Sequence, residues 1–401
     1  MFIFITEKQQ ALSMILYLFN PDTDLALANG KGNYTPSSAV SQMIQDLALL
    51  PIWYANLGSY VLTSRGEYNE FLHEQQKVFG LDVNQISLDR LVHFGEPIEI
   101  IPWGWNYSLR NLLHRSGFSS LPSDEELDER CRLSQRNVVK HVLEHFMHEQ
   151  GFCGESYNIN KVSDCEAFFE KSKGDGGMIV KAPWSSSGKG LLWCRDAFED
   201  KDKNWCKRVI DSQGYVAVSP IYNKVQDFAM EFFIAKDSTV EFLGYSLFAT
   251  DNRGAYTGNQ LLSNQEIEEF LSQYVPIDHL EKAKQIVGNF LLHNGFKQFV
   301  GVDMMICREI NGMCIHPCVE INYRQTMGMV ARHLKDTFLV SDAHGKFMVE
   351  HFRSNEELTD FVNFSKQDSP LVVKQGRVQS GFMPLVPITS STQNLAYIEV
   401  Y

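Results

Sequence analysis

The sequence lacks the positive charge that a nucleic-acid partner requires. Its 401 residues include 36 Lys and Arg against 49 Asp and Glu, which gives a formal net charge of -13 at pH 7. Proteins that bind a phosphate backbone displace counterions with a clustered positive surface. The sequence also lacks any apolar stretch near the roughly 20 residues that a membrane helix needs. We therefore expect neither a nucleic acid nor a membrane as a partner.

Paired cysteine motifs are absent as well. The eight cysteines stand at irregular spacings, with no CxxC pair and no histidine spacing typical of a zinc site. At the N-terminus, the apolar residues 1–5 are followed at once by Glu7 and Lys8, and no cationic segment precedes them. This pattern fits neither a signal peptide nor a spanning helix. We interpret the cysteines as reduced thiols and expect a cytoplasmic protein.

The first part of the chain alternates strand and helix patterns. Apolar runs of strand length lie at residues 15–19, 60–63 and 98–102, and each is followed by a helical pattern. Such alternation is typical of a parallel sheet covered by helices. We predict a small parallel α/β domain over residues 1–120.

The rest of the chain predicts a different architecture. Ser123 and Glu126 have the spacing of a capping box, which predicts the start of a helical stretch. We assign residues 121–213 to one unit with a Ser/Gly-rich loop and residues 214–345 to a second unit of mixed, mostly antiparallel strands. Residues 346–401 are expected to form a C-terminal extension.

A Ser/Gly-rich turn between predicted strands 178–181 and 191–194 is the first segment that suggests chemistry. Small residues let backbone N–H groups approach phosphate oxygens closely. The turn is not a Walker A loop, because Pro183 occupies the place of the first glycine. A solvated hairpin turn would explain the same composition. The candidate phosphate-contacting residues are Lys181, Ser185, Ser186, Ser187, Gly188, Lys189 and Gly190.

Oxygen-bearing side chains within two later strands suggest a metal site. Asp303 belongs to one apolar strand, Glu320 and Asn322 to the next, and Asn311-Gly312 marks a hairpin turn between them. Side chains alternate along a strand, so Glu320 and Asn322 share a face. Hard oxygen ligands suit Mg²⁺, with Mn²⁺ as the alternative. A surface hairpin with incidental charges is the other interpretation, but carboxylates in apolar strands are costly to bury without a cation.

Together the two features resemble the ATP-grasp superfamily, whose members combine a strand lysine, a Ser/Gly-rich loop and a downstream Glu-x-Asn-x-Arg motif. Here the lysine is Lys181 and the motif is residues 320–324, with Asp303 on the strand before it. The resemblance covers residues 120–345. It implies a pre-ATP-grasp α/β domain followed by a two-subdomain ATP-grasp fold. It also implies that Lys181 contacts the nucleotide phosphates, that Asp303, Glu320 and Asn322 hold the metal, and that Arg324 lies near the γ-phosphate or acyl phosphate.

Two departures from the family pattern concern the nucleotide. The family often has another lysine before the loop, and the nearest matches here are Arg136 and Lys140. The resemblance also implies a hinge strand at residues 215–219 that holds adenine through its backbone, with Val218 and Ser219 as contacts. Its expected glutamate is replaced by Ser219-Pro220. Either of two acidic residues could contact the ribose, namely Asp227 and Glu231.

Two further segments offer substrate contacts. By the resemblance, the loop at residues 248–259 faces the γ-phosphate, so Arg253 could neutralise charge and Asn259 could hold a substrate. A plain turn-rich loop is the alternative. Near the first strand, Asp24 and Asn29 stand where ligands of α/β sheets gather, although an Asx-rich turn and helix cap explain them equally.

The resemblance implies an enzyme that uses Mg-ATP. The expected reaction is ADP-forming activation of a small-molecule or peptide carboxylate as an acyl phosphate, followed by attack of an amine or a thiol. Family members are commonly dimers, so a homodimer is one expected state. Two alternatives stay open: a small-molecule kinase of the same fold, and an ATP-binding regulatory protein without catalysis.

Overall fold

The computed structural model describes residues 14–31, 33–63, 68–93, 97–185, 190–235, 237, 239–251, 254–294 and 298–401. Its strands form three sheets, two of four strands and one of nine. None of the described helices has both the length and the apolar composition needed to cross a membrane. All eight cysteines are free thiols.

A parallel sheet with strand order β3-β2-β1-β4 forms the N-terminal domain. Its first strand, the apolar MILYL segment, is largely buried in the centre. The predicted parallel α/β arrangement is therefore confirmed. The strands are β1 (Met14–Leu18), β2 (Ser59–Leu62), β3 (Val83–Ile86) and β4 (Ile98–Pro102), and the helices are α1 (Thr23–Ala28), α2 (Ser38–Asp46), α3 (Asn69–Phe79), α4 (Leu88–Leu91) and α5 (Tyr107–Arg115), with a 3₁₀ turn at Leu50–Trp53.

Two helices lead to a small antiparallel sheet with strand order β5-β8-β6-β7. The first helix begins with the predicted capping box, in which Ser123 and Glu126 each bond the other's backbone N–H. Helices α8 and α9 pack against the sheet. The elements are α6 (Asp124–Leu133), α7 (Asn137–Glu144), β5 (Tyr157–Ile159), α8 (Val162–Ser172), β6 (Met178–Lys181), β7 (Leu191–Cys194), α9 (Asp200–Gln213) and β8 (Val216–Pro220), with a 3₁₀ turn at Lys173–Asp175.

The third sheet has nine antiparallel strands in the order β13-β12-β9-β10-β11-β14-β17-β16-β15. It confirms the predicted antiparallel character of the second half. The elements are β9 (Lys224–Ile234), β10 (Val240–Thr250), β11 (Tyr256–Leu261), α10 (Asn264–Ser272), α11 (Ile277–Asn294), β12 (Gln298–Glu309), β13 (Gly312–Asn322), α12 (Met327–His333), a π-helical turn (Leu334–Phe338), β14 (Gly345–His351), α13 (Asn355–Asp368), β15 (Val372–Lys374), β16 (Arg377–Pro384) and β17 (Asn394–Val400).

The C-terminal strands share a hydrophobic core with the N-terminal domain. The Trp53 indole donates a hydrogen bond of 2.6 Å to the carbonyl of Leu385. The buried Asp46 carboxylate accepts hydrogen bonds from the backbone N–H groups of Gln393 and Asn394, each at 3.0 Å. The end of the chain thus closes the core formed by its beginning, and the nine-stranded sheet is fixed against the first domain.

Candidate active site

Asp303, Glu320 and Asn322 lie together at one end of the β12–β13 hairpin. In the strand register, Asp303 stands opposite Glu320, and Gly301 stands opposite Asn322. The Asn322 side-chain amide donates to an Asp303 carboxylate oxygen at 3.3 Å. The three side chains that the sequence predicted as metal ligands are therefore neighbours on one face of the sheet.

More negative charge comes from the adjacent strand β9. Glu231 stands opposite Gly301 and Ala229 opposite Asp303, so side chains two residues apart on β9 share the face of Asp303. Burial raises the pKa of Asp303 well above its usual range, and the negative charges of Glu320 and Glu231 add to the increase. A cation at this face would remove the repulsion that opposes ionisation of Asp303.

Arg136, at the start of α7, faces these carboxylates. Its guanidinium donates to Glu320 at 2.9 Å and to the Ser185 hydroxyl at 3.1 Å. Its backbone N–H bonds the carbonyl of Pro183 at 3.1 Å, so it is tied to the start of the Ser/Gly-rich turn. Lys140 points elsewhere, because its ammonium group lies 3.9 Å from Glu144 and its side chain is 47% exposed. Of the two candidates for the missing lysine, the structure brings Arg136 to the site.

Lys181 ends strand β6 and is buried. Burial lowers its pKa to about 8, and the positive charge of Arg136 contributes, while Glu320 and Asp303 act in the opposite direction. Lys181 therefore lies close enough to β12 and β13 for the carboxylates of those strands to affect its pKa. An anionic ligand beside Lys181 would favour its charged form.

The described ends of the Ser/Gly-rich turn are tightly packed. Ser185 is buried, and a side chain at Gly190 would place its Cβ 2.2 Å from the Cβ of Ser185. Glycine is therefore required where the turn returns to strand β7. Four predicted residues of the turn lie outside the described part of the chain: Ser186, Ser187, Gly188 and Lys189.

Arg324 joins the nine-stranded sheet to the N-terminal domain. Its Nε donates to the Asp24 carboxylate at 2.8 Å, and its Nη2 donates to the Asn322 side-chain oxygen at 2.8 Å. Asp24 lies on α1, directly after β1, and burial raises its pKa although Arg324 opposes the increase. Asn29 instead caps the end of α1 and is exposed. Asp24, not Asn29, thus meets the predicted catalytic arginine.

The predicted adenine and ribose contacts occupy different environments. Pairing of β8 with β5 ends at Val218, so Ser219 stands beyond the last paired residue on that side. Asp227, near the start of β9, accepts hydrogen bonds from Lys224 and, at 2.8 Å, from Thr250.

Glu231 is enclosed instead. It is only 1% exposed and accepts hydrogen bonds from Ser246 at 2.9 Å and from Thr326 at 3.0 Å. A Cβ at Gly328 would come within 2.0 Å of its carboxylate oxygen. Burial raises the pKa of Glu231 to about 7, which its two hydrogen bonds only partly oppose. Of the two ribose candidates, Asp227 has the more accessible position.

The two predicted residues of the 248–259 loop cannot both be placed. Asn259 is buried in β11, where its side-chain oxygen accepts from the Tyr256 hydroxyl at 2.5 Å and its amide donates to the Leu247 carbonyl at 3.5 Å. It is thus already bonded within the sheet. Arg253 lies outside the described residues.

No family model matches the sequence, and no curated protein matches it significantly. Solved structures match its fold. Two are structures of N5-carboxyaminoimidazole synthetase from Staphylococcus aureus. The one complexed with ADP is 12% identical in sequence at a TM-score of 0.50, and the match covers 99% of this chain and 95% of the synthetase. The other is 11% identical at a TM-score of 0.51, and the match covers 97% of this chain and 94% of the synthetase.

A third match is a pyruvate carboxylase from Rhizobium etli solved with acetyl coenzyme A. It is 11% identical at a TM-score of 0.51; the match covers 97% of this chain but only 36% of the pyruvate carboxylase. These matched proteins are ATP-grasp proteins. Because the likeness extends over nearly the whole chain and agrees with the three sheets described above, the chain has the ATP-grasp fold.

Proposed function

We propose that the chain is a Mg-ATP-dependent, ADP-forming ligase that activates a carboxylate as an acyl phosphate for attack by an amine or a thiol. The observation that carries this proposal is the meeting of buried Lys181 and Arg136 with the paired carboxylates of Asp303 and Glu320. Such a site matches a ligand that has both anionic phosphates and a divalent cation. The ADP complex of the matched synthetase agrees with a nucleotide as that ligand.

The acidic residues fit a magnesium ion. Asp303 and Glu320 are strand partners, and the negative charge of Glu320 helps to hold the pKa of Asp303 up, so the pair favours a bound cation. With the amide oxygen of Asn322 they form a set of hard oxygen donors, which Mg²⁺ and Mn²⁺ prefer. When bound, the ion would neutralise phosphate charge and orient the phosphate oxygens.

The basic residues of the chain bind and orient the anionic groups of the substrates. Lys181 and Arg136 hold phosphate oxygens, and the bond from Arg136 to Ser185 positions the first residue of the Ser/Gly-rich segment. Arg324, fixed by Asp24, can hold an anionic phosphoryl or acyl-phosphate group beside Asn322. Positioning and charge stabilisation of this kind account for most of the catalysis of phosphoryl transfer.

The substrate carboxylate belongs near Asp24 and Arg324. Ligands of α/β sheets collect at the carboxyl ends of the strands, and α1 begins just after the carboxyl end of β1. There, the Arg324 guanidinium offers a cation to an acid that arrives from the side of the N-terminal domain. We propose a small-molecule or peptide acid as the substrate and the cytoplasm as the place of action.

A substrate-pool experiment tests the reaction class. The protein is incubated with Mg-ATP and pooled carboxylic acids, amino acids, amines and thiols, and ADP, AMP and new masses are measured. ADP together with a condensed product is the expected result. A phosphorylated small molecule as final product would identify a kinase instead, and AMP would contradict the acyl-phosphate route. Nucleotide binding without turnover across broad pools would favour a regulatory protein.

A further inference from the structure

Three ligating side chains meet at the opposite end of the β12–β13 hairpin from Asp303 and Glu320. The Sγ atoms of Cys153 and Cys314 and a carboxylate oxygen of Glu309 all lie within 4.8 Å of one another. This was the one such group of His, Cys, Asp and Glu side chains among the described residues. Cys314 is buried, Cys153 is half-buried and Glu309 is exposed, so the group has an opening to solvent.

The backbone fixes Cys153 to the hairpin. The N–H of Cys153 donates to the carbonyl of Ile315 at 2.9 Å, and the N–H of Ile315 donates to the carbonyl of Gly151 at 2.9 Å. Phe152 therefore forms a parallel bridge with Ile315. The segment that follows α7 thus pairs with β13 next to Cys314. These backbone hydrogen bonds fix the position of Cys153.

A third thiol lies beside the group. Cys307 stands directly opposite Cys314 in the strand register, and the Cys314 thiol donates to the Cys307 carbonyl at 3.8 Å. The Cys153 thiol lies close to the thiols of both Cys307 and Cys314. Its contact with Cys307, together with burial, raises the pKa of Cys153, and contact with Cys153 raises that of Cys314.

We propose that this group is a site for a thiolate-preferring divalent ion of the zinc type. Cys153, Cys314 and Glu309 would be ligands, with a water molecule from solvent in the fourth position. Sulfur and carboxylate donors suit Zn²⁺, whereas Mg²⁺ prefers oxygen donors only. On binding, each coordinating thiol releases one proton to solvent as its S–H bond is replaced by a sulfur–metal bond.

The ion would have a structural role that is separate from nucleotide chemistry. It would fasten the segment after α7 to strands β12 and β13. Arg136 precedes α7, and Glu320 lies on β13, so the site would hold together the two elements that the Arg136–Glu320 ion pair also joins. Structural zinc sites contribute directly to folding stability.

Metal binding by the full chain tests the proposal. Reduced, chelator-treated protein is titrated with Zn²⁺ by calorimetry in two buffers of different ionisation enthalpy, and with Co²⁺ by absorption spectroscopy. We expect one equivalent of zinc, proton release, sulfur-to-cobalt charge-transfer bands and a higher melting temperature with the metal. Absence of stoichiometric binding would overturn the proposal, and so would a Cys153–Cys314 disulfide in the protein under these reducing conditions.

Matched variants locate the site. Cys153→Ser should weaken zinc binding by about 10- to 100-fold or more. Cys131→Ser, which alters a similarly half-buried thiol that donates to the Leu27 carbonyl instead, should leave binding unchanged. Glu309→Gln changes an exposed side chain and spares the core, so it serves if Cys153→Ser fails to fold, and it should also weaken binding. Unchanged affinity in both Cys153→Ser and Glu309→Gln would contradict the assignment.

Discussion

The two sheets that meet at the candidate site carry ionisable side chains of opposite charge. The small sheet presents Lys181, whose pKa is lowered to about 8 mainly by burial. The nine-stranded sheet presents Asp303, whose pKa burial raises. Burial thus acts against ionisation on both sides, and a neighbouring like charge adds to it: Arg136 beside Lys181 and Glu320 beside Asp303. A ligand that carries a cation on one side and anions on the other would stabilise the ionised form of both sheets.

Asp303→Asn should have the largest effect on activity. It removes a proposed metal ligand, so ATP turnover should fall on the order of 100-fold or more, while the melting temperature stays constant or rises because a repelled carboxyl is gone. ADP release against Mg²⁺ concentration measures the loss. Asp46→Asn is the matched control: that buried carboxylate accepts backbone hydrogen bonds far from the site, so stability should fall and turnover per folded molecule should persist. Full activity of Asp303→Asn would refute the metal assignment.

Glu231→Gln should remove a pH dependence of stability. Burial raises the pKa of Glu231 to about 7 from the 4.5 of an ordinary glutamate, so the folded state retains a proton that the unfolded chain loses. The free energy of unfolding of the unmodified protein should therefore decrease as pH rises from about 4.5 to about 7, by roughly 3 kcal/mol at most from this group. Urea denaturation at pH 5 and pH 8 compares the two proteins. Equal pH slopes would show that Glu231 ionises normally.

Lys181→Gln should weaken nucleotide binding by about 10- to 100-fold, because it removes the buried cation of the small sheet. Calorimetric titration with ATP and with ADP measures the change. Lys140→Gln alters an exposed lysine one helix away and should leave affinity intact. If the two variants bind nucleotide equally well, Lys181 does not contact the phosphates. The opposite charges on the two sheets would then have a function other than nucleotide binding.

Glu266→Gln should have the smallest effect, because its hydrogen-bonded pair with His344 is partly exposed. Although burial opposes it, hydrogen bonds to Ser263 and His344 lower the pKa of Glu266 to about 2. This stabilisation is present above pH 4.5 and is lost as pH falls towards 2. Both side chains are about a third exposed or more, so the variant should lose less than about 1 kcal/mol at pH 7. The melting temperatures of Glu266→Gln and His344→Gln should be equal. A loss of stability larger than about 1 kcal/mol would show that this exposed pair contributes more than an ordinary surface pair.

Local patterns were enough to predict the parts of the site that lie on neighbouring strands. The Asn311-Gly312 turn and the alternation of side chains predicted that Asp303 would stand near Glu320 and Asn322, and the strand register agrees. These contacts join residues fewer than 20 positions apart, so the geometry of one hairpin determines them.

Contacts between distant segments had no such signal. Asp24 and Arg324 are 300 positions apart, and their pairing depends on how the first domain docks on the nine-stranded sheet. The three clustered cysteines show the same limit. Their spacing in sequence resembles no metal motif, yet the hairpin register and the bridge at Ile315 bring the thiols together.

By itself, the sequence determined the sheet types, the capping box of Ser123 and Glu126, and the grouping of oxygen-bearing side chains on β12 and β13, because each follows from periodicity or short spacing. Tertiary structure alone decided that Arg136 faces Glu320, that Glu231 is enclosed, and that the C-terminal strands complete the N-terminal core. Those outcomes depend on which surfaces pack together across hundreds of residues. Side-chain periodicity within one element carries no information about that packing.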